Sequence, residues 1–311
     1  MDVFLNHGIN YQFIKGKRAV SVVANDSGYC GDVIIPKYIV YQNTKYAVWR
    51  IGDGAFEGCK DLKSIVIPDS VFVIGHSAFS DCISLSSVTM PDSIKFIFSA
   101  AFSNCTSLET ITIPNNVKDL SSHMFMGCSK LKEVILHNHI TTIGAASFVD
   151  CSAIEKIVIP SKVNEIDIFW GITPFNGCNS LKSIIVDKDN TIFDSRDNCN
   201  AIINISTNTL LIGCDNTVIP NTVSCIGEGA FSSGFLQKSI FIPDGVIKIS
   251  SRAFYSCPFL EIIILPKTIM QIDSDMLTNC EKLKHIFVPK EKRELYLSMG
   301  LSNYQEYIKE I

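Results

Sequence analysis

The sequence predicts an α/β solenoid of about ten 23-residue coils, mostly β with short helical turns, with a parallel concave sheet and a cap at each end. Three observations carry this expectation. Eight cysteines (Cys59, Cys82, Cys105, Cys128, Cys151, Cys178, Cys257 and Cys280) each fall three residues after a Phe or Leu and three before a Leu or Ile, and the first five are spaced at 23 residues. An LxxIxI segment follows, whose period of two is that of a strand with one buried face. A proline then closes most copies (Pro68, Pro91, Pro114, Pro160, Pro220, Pro243, Pro266, Pro289). Proline cannot donate to a ladder, so it ends the strand and turns the chain.

Aligned, the coils read I-G-x-x-A-F-x-x-C-x-x-L-x-x-I-x-I-P-x-x-V-x-x, and residues 51–73 are a nearly complete copy. Copies follow from Ile74, Ile97, Leu120 and Ile143, a longer sixth from Ile166, and three more from Ile226, Ile249 and Ile272. The VxxI segment predicts a second short strand on another face, and AFxxC a short helical turn that buries Phe and Cys. The sixth coil carries four extra residues before Phe175, within IDIFWGITPF, and an irregular segment spans 187–225. Its second part, residues 203–225, reads as a degenerate coil without AFxxC. Residues 1–50 predict an N-terminal β cap with turns at NDSG and QNTK, entering the stack near residues 33–36. The repeat occupies 51–294, and residues 290–311 show helical periodicity through Leu295, Tyr296, Met299, Tyr304, Tyr307 and Ile308, which predicts a C-terminal helical cap.

Composition narrows the partners. The chain has 311 residues, 47% of them hydrophobic, with 27 Lys plus Arg against 31 Asp plus Glu. No basic block exists, so the electrostatic footprint of a nucleic-acid partner is missing. No stretch approaches the roughly 18 apolar residues of a membrane span. The first residues, MDVFLNHGINYQF, lack the charged region and apolar run of a leader peptide, which leaves the cytosol and a processed surface form both open. Twelve cysteines would suggest disulfides in a small secreted chain. The apolar AFxxCxxL flanks favour reduced, buried thiols for the eight in the repeat; the pairing of Cys30, Cys199, Cys214 and Cys225 stays open.

The outward columns of the predicted sheet are the candidate binding surface. The column after the Leu position (Lys63, Ser86, Glu109, Lys132, Glu155, Lys182, Asp215, Lys238, Glu261, Lys284) alternates in sign from Glu109 onward. It sets coil register through side-by-side opposite charges. The column inside IxI reads Val66, Thr89, Thr112, Ile135, Val158, Ile185, Val218, Phe241, Ile264, Phe287. β-Branched and aromatic residues suit any mid-sheet position, but exposed they would form a protein-binding stripe. Ile135, Val158, Ile185, Phe241, Ile264 and Phe287 are the candidate ligand-binding residues there. Phe169 and Trp170, in the insertion, are a candidate aromatic anchor. Phe72, Phe96 and Phe98 also break the pattern of the VxxI side.

Catalytic chemistry has no constellation here, and the expectation is no enzyme, no cofactor and no metal. The six histidines are scattered, and His137 and His139 sit where a surface turn replaces the strand-ending proline. GHSAF lacks the second glycine of a nucleophile elbow. DKDNTIFDSRDN opens like a calcium loop at Asp187 and Asp189, yet Ile192 stands where the loop needs glycine and Asn198 where it needs glutamate.

The repeat I-G-x-x-A-F-x-x-C-x-x-L-x-x-I-x-I-P-x-x-V resembles that of the BspA-like (Treponema pallidum-type) leucine-rich repeat family over about residues 33–294 and both caps. The segment TIFDSRDNCNAIINISTNTLLIGC resembles one that recurs in such proteins from Bacteroides-type gut bacteria. The resemblance implies a right-handed leucine-rich repeat stack and a secreted or cell-surface protein, and some members of the family are linked to adhesion to host matrix proteins or other cells. The functional expectation is a non-catalytic, adhesion-type scaffold for a host or bacterial protein ligand. A self-associating structural protein and a carbohydrate-binding module are the alternatives, and the oligomeric state is open.

Overall fold

The computed structural model describes residues 3–311; Met1 and Asp2, part of the expected N-terminal cap, lie outside the described residues. Two compact units are present among the described residues, 3–154 with Glu165–Asp167, and Glu155–Asn164 with Ile168–Ile311. Each is a β-solenoid of short parallel strands.

In the first unit the LxxIxI segments form one side. Gly31–Ile34, Leu62–Val66 and Ser87–Thr89 make one parallel sheet, and Thr110–Thr112 pairs with Glu133–Ile135. Ile65 lies opposite Val88 and Thr112 opposite Ile135, the 23-residue step of the sequence made spatial. The VxxI segments form a second side: Thr44–Ile51, Val73–Ile74 and Phe96–Ile97 in one sheet, and Asp119–Leu120, Thr142–Ile143 and Glu165–Ile166 in another. Before them, Val3–Asn6 and Ile9–Phe13 form an antiparallel hairpin.

The AFxxC segment makes the third side. It is a run of turns closed by i+3 bonds, such as Cys59 N–H to Phe56 O at 3.1 Å, rather than a continuous helix. Two residues of positive φ recur in each coil, at Gly54, Ser77, Ala100, His123 and Ala146, and at Gly58, Asp81, Asn104, Gly127 and Asp150. These left-handed residues aim N–H groups along the stack, so Phe56, Phe79 and Phe125 each donate to the next coil at 2.8 Å. Backbone groups that a helix would pair internally are thereby paired between coils.

Inside, Phe56, Phe79, Phe102, Phe125 and Phe148 are fully buried and stacked, with centroids 5.0 to 5.7 Å apart. Each buried ring contributes about 1.5–3 kcal/mol of transfer free energy. Tyr29 covers the first ring of the column at 4.6 Å. Beside the rings run the cysteines. The thiols of Cys82, Cys105, Cys128 and Cys151 donate to the carbonyls of Phe56, Phe79, Phe102 and Phe125, one coil back, at 3.0 to 3.2 Å. Burial pushes the Cys82 thiol up to about 12.

The second unit repeats the plan. Lys156–Ile159 pairs with Ser183–Val186, while Ser239–Phe241, Ile262–Ile264, His285–Val288 and Ile308–Glu310 form a parallel sheet. Phe231 stacks on Phe254 at 5.2 Å, and the Cys257 and Cys280 thiols donate to their carbonyls at 3.3 and 3.0 Å. The expected degenerate coil at 203–225 is different. Ala201–Asn204 and Thr209–Gly213 form an antiparallel hairpin, and only then does the chain rejoin the parallel stack at Cys225–Ile226. The reason is local: the Asn204 side chain accepts the N–H groups of Ser206 and Thr207, and Asn208 takes positive φ, which closes a turn. At the end of the chain, Arg293–Tyr296 is a short helix, and irregular turns lead to a strand that the helical periodicity did not announce, Ile308–Glu310.

Candidate functional site

The IxI column faces outward wherever a strand carries it. In the first unit Ile135 is 55% exposed, and Val66, Thr89 and Thr112 are also exposed. In the second unit Val158 and Ile185 lie opposite each other, both exposed. Phe241, Ile264 and Phe287 stand in register on three adjacent strands; Phe241 is 65% exposed and the other two are half-buried. Val218 is 74% exposed but belongs to no strand, so the column is interrupted there. The neighbouring core positions Ile240, Ile263 and Ile286 are buried, which explains the alternation.

The charged column forms ion pairs between adjacent coils at Lys132–Glu109 (2.9 Å) and Lys284–Glu261 (2.7 Å). Each lysine holds its glutamate below the usual carboxylate range through a side-chain hydrogen bond. Lys132, Glu109 and Lys284 are exposed and Glu261 is half-buried. Asp215 departs from the column and accepts the Leu236 N–H and the Gln237 amide instead.

Phe169 and Trp170 project from a tight hairpin. Phe169 and Ile172 exchange backbone bonds at 3.1 and 2.9 Å, leaving Trp170 and Gly171 as the two turn residues. Both aromatic side chains are exposed, 63% and 65%, and meet edge-on at 6.2 Å. Below the hairpin, Thr173, Asn176 and Ser232 form a buried network in which the Asn176 carbonyl accepts from Thr173 and its amide donates to Ser232. The aromatic outliers of the VxxI side cluster in the first unit: Phe98 stacks on His76 at 4.8 Å, Phe72 lies 5.9 Å from Trp49, and Phe96 is exposed.

The polar groups singled out in the sequence are occupied by the scaffold. His137 and His139 lie against the Pro114 and Asn115 carbonyls of the preceding coil. Asp187 accepts the Asp189 N–H in a turn, and Asn190 is buried with both ends of its amide satisfied. Among the described residues no three His, Cys, Asp or Glu side chains gather as a metal site. His7 and Asp32 line one depression of about 270 Å³, but His7 is bonded to Asn6 and Asp32 to Ser64. All twelve cysteines are free thiols; Cys30 is exposed, Cys225 half-buried, and Cys199 and Cys214 buried. No helix among the described residues is long and apolar enough to cross a membrane.

A solenoid of 23-residue coils, with Phe and Cys ladders inside and strands ending in proline, defines a class of repeat scaffold. The family model of the BspA-type leucine-rich repeat region matches in six copies over residues 50–182 and 209–299. The chain belongs to that family. It is similar to a leucine-rich cell surface protein of Faecalibacterium prausnitzii, with 25% identity over 100% of this chain and 95% of the other and a TM-score of 0.71. It is also similar to the Treponema pallidum leucine-rich repeat protein, with 26% identity over 58% of this chain and 80% of the other and a TM-score of 0.52. The pneumococcal vaccine antigen PcpA shares the fold at 18% identity over 93% of this chain and 72% of the other, with a TM-score of 0.65. A search of curated proteins finds no match.

Proposed function

We propose that the chain is a non-catalytic binding scaffold of a secreted or cell-surface protein, and that it engages a host or bacterial protein ligand in an adhesion-type contact. The observation that carries this reading is the register of Phe241, Ile264 and Phe287, an apolar patch on the outward face of a sheet whose other face already fills the core. Sheet propensity accounts for one such residue. An aligned run in the second unit, with Val158 and Ile185 paired beside each other, fits a recognition surface. Similarity to the F. prausnitzii cell surface protein supports the location. Residues 1–50 and 290–311 act as the caps of the repeat, and the repeat supplies rigidity rather than chemistry.

The test is an array of purified extracellular-matrix and bacterial surface proteins, probed with the wild type and with Phe241→Lys plus Phe287→Lys. Binding to a protein on the array that falls at least tenfold in the variant, with the unfolding midpoint held, supports the reading. Binding that survives both substitutions overturns the assignment of the site.

A further inference from the structure

The geometry points to a second binding site in the second unit: an aromatic and polar strip, led by Trp170 and continued by Arg252, Tyr255 and Asn279, that takes a neutral oligosaccharide. The first argument is the turn itself. Trp170 and Gly171 both have positive φ, 54° and 75°, as in the two-residue turns that prefer Asn-Gly. The left-handed conformation is unfavourable for a bulky residue. Burial does not offset that cost, because the indole is 65% exposed. A tryptophan held there against its backbone preference, and in water, is displayed.

The display is also rigid. Arg252 Nη1 donates to the Trp170 carbonyl at 2.6 Å, with its guanidinium 5.8 Å from the indole ring. A cation–π contact at an exposed site is weak and offsets only part of the backbone cost. Gly171 packs on the Arg252 stem, and a Cβ on Gly229 would collide with the Gly171 carbonyl. Preorganisation of this kind lowers the entropic cost of binding.

The ligand class follows from what lies beside the ring. The Arg252 guanidinium stands between Trp170 and Tyr255, 5.9 Å from the latter. The Tyr255 hydroxyl accepts from Asn279 Nδ2 at 3.0 Å, so its own hydrogen remains to donate. Asp275 lies 3.8 Å from Arg252 Nε and accepts from Ser251 with one oxygen. Asp275 balances Arg252 and Asp273 accepts the Ser251 N–H beside it, so the strip has no excess positive charge to hold an anionic ligand. Aromatic faces beside paired donors and acceptors match a sugar, whose C–H face meets the electron-rich ring face while its hydroxyls bond to the planar polar groups. Protein hot spots also favour Trp, Tyr and Arg, and removal of the glycans from any protein ligand separates the two cases.

The experiment is isothermal titration and tryptophan fluorescence of the full chain with maltohexaose, cellohexaose, mannohexaose and N-acetylchitohexaose, using wild type, Trp170→Ala, Tyr255→Ala and Phe241→Lys. The expected result is binding of at least one of the four sugars, lost tenfold or more in Trp170→Ala and weakened in Tyr255→Ala. Phe241→Lys leaves it unchanged, which separates this site from the protein-binding surface. Far-ultraviolet circular dichroism confirms that the variants fold. Failure of all four sugars to bind, or binding indifferent to Trp170→Ala, overturns the proposal. So does a protein ligand that needs Trp170 and still binds after enzymatic removal of its glycans.

Discussion

The Cys82 thiol donates to the Phe56 carbonyl oxygen of the preceding coil at 3.0 Å, and the same bond recurs at Cys105, Cys128, Cys151, Cys257 and Cys280. The cysteine is therefore more than a small apolar filler. It offers a weak donor to a carbonyl that faces the interior, at little desolvation cost to itself.

Replacing Cys128 tests that role. Cys128→Ala removes the donor and leaves a small void, at a cost of about 1–3 kcal/mol. Urea unfolding followed by circular dichroism should show a lower midpoint for this variant. An unchanged midpoint would mean that the thiol bond contributes nothing.

Alkaline pH should weaken the fold. Burial raises the native Cys82 thiol from 9.0 to about 12, and the Cys199 thiol to about 11. Above the unfolded value of 9.0 the unfolded chain releases protons that the native chain keeps. The stability these thiols contribute is full below that pH and is lost progressively as pH rises toward about 12. Urea midpoints measured from about pH 8 to pH 10 should fall, and fall less in Cys82→Ala. A colorimetric thiol reagent should label Cys30 in the native protein and leave Cys82 unreacted until unfolding.

The sidedness of the strands is testable in one coil pair. Ile111 is buried and Ile135, outward on the adjacent strand, is 55% exposed. Ile111→Lys buries an unpaired charge and should unfold the surrounding coils, whereas Ile135→Lys should shift stability by no more than about 0.5 kcal/mol. Equal effects on the urea midpoint would mean that the two faces are misassigned.

Much of this was legible because the repeat forces each residue type into one environment. The Phe, Cys and Leu positions are buried as their spacing implied, except Cys280, which is half-buried, and the IxI column is outward. What the sequence hid was conformational. The two left-handed positions of each turn are filled by Gly, Ser, Ala, His, Arg, Asp and Asn, with no shared side chain to mark them. The hairpin at 201–213 was concealed because its IPxxV ending matches the repeat. Phe169 and Trp170 were visible as an insertion, but Arg252 was not, because it sits 82 residues away at a repeat position without a fixed residue. Its one signal is bulk: the equivalent positions hold Gly54, Ser77, Ala100, His123, Ala146, Gly229 and Asp275.

The proposed function places protein recognition on the outward strand column, at Phe241, Ile264 and Phe287. Covalent footprinting by mass spectrometry, on the complex with a protein that binds in the array, tests it most directly. Labelling should be lost at Phe241, Ile264 and Phe287, with the turns at 251–257 unaffected. Protection confined to those turns, with the three column residues labelled as in the unbound protein, would contradict it.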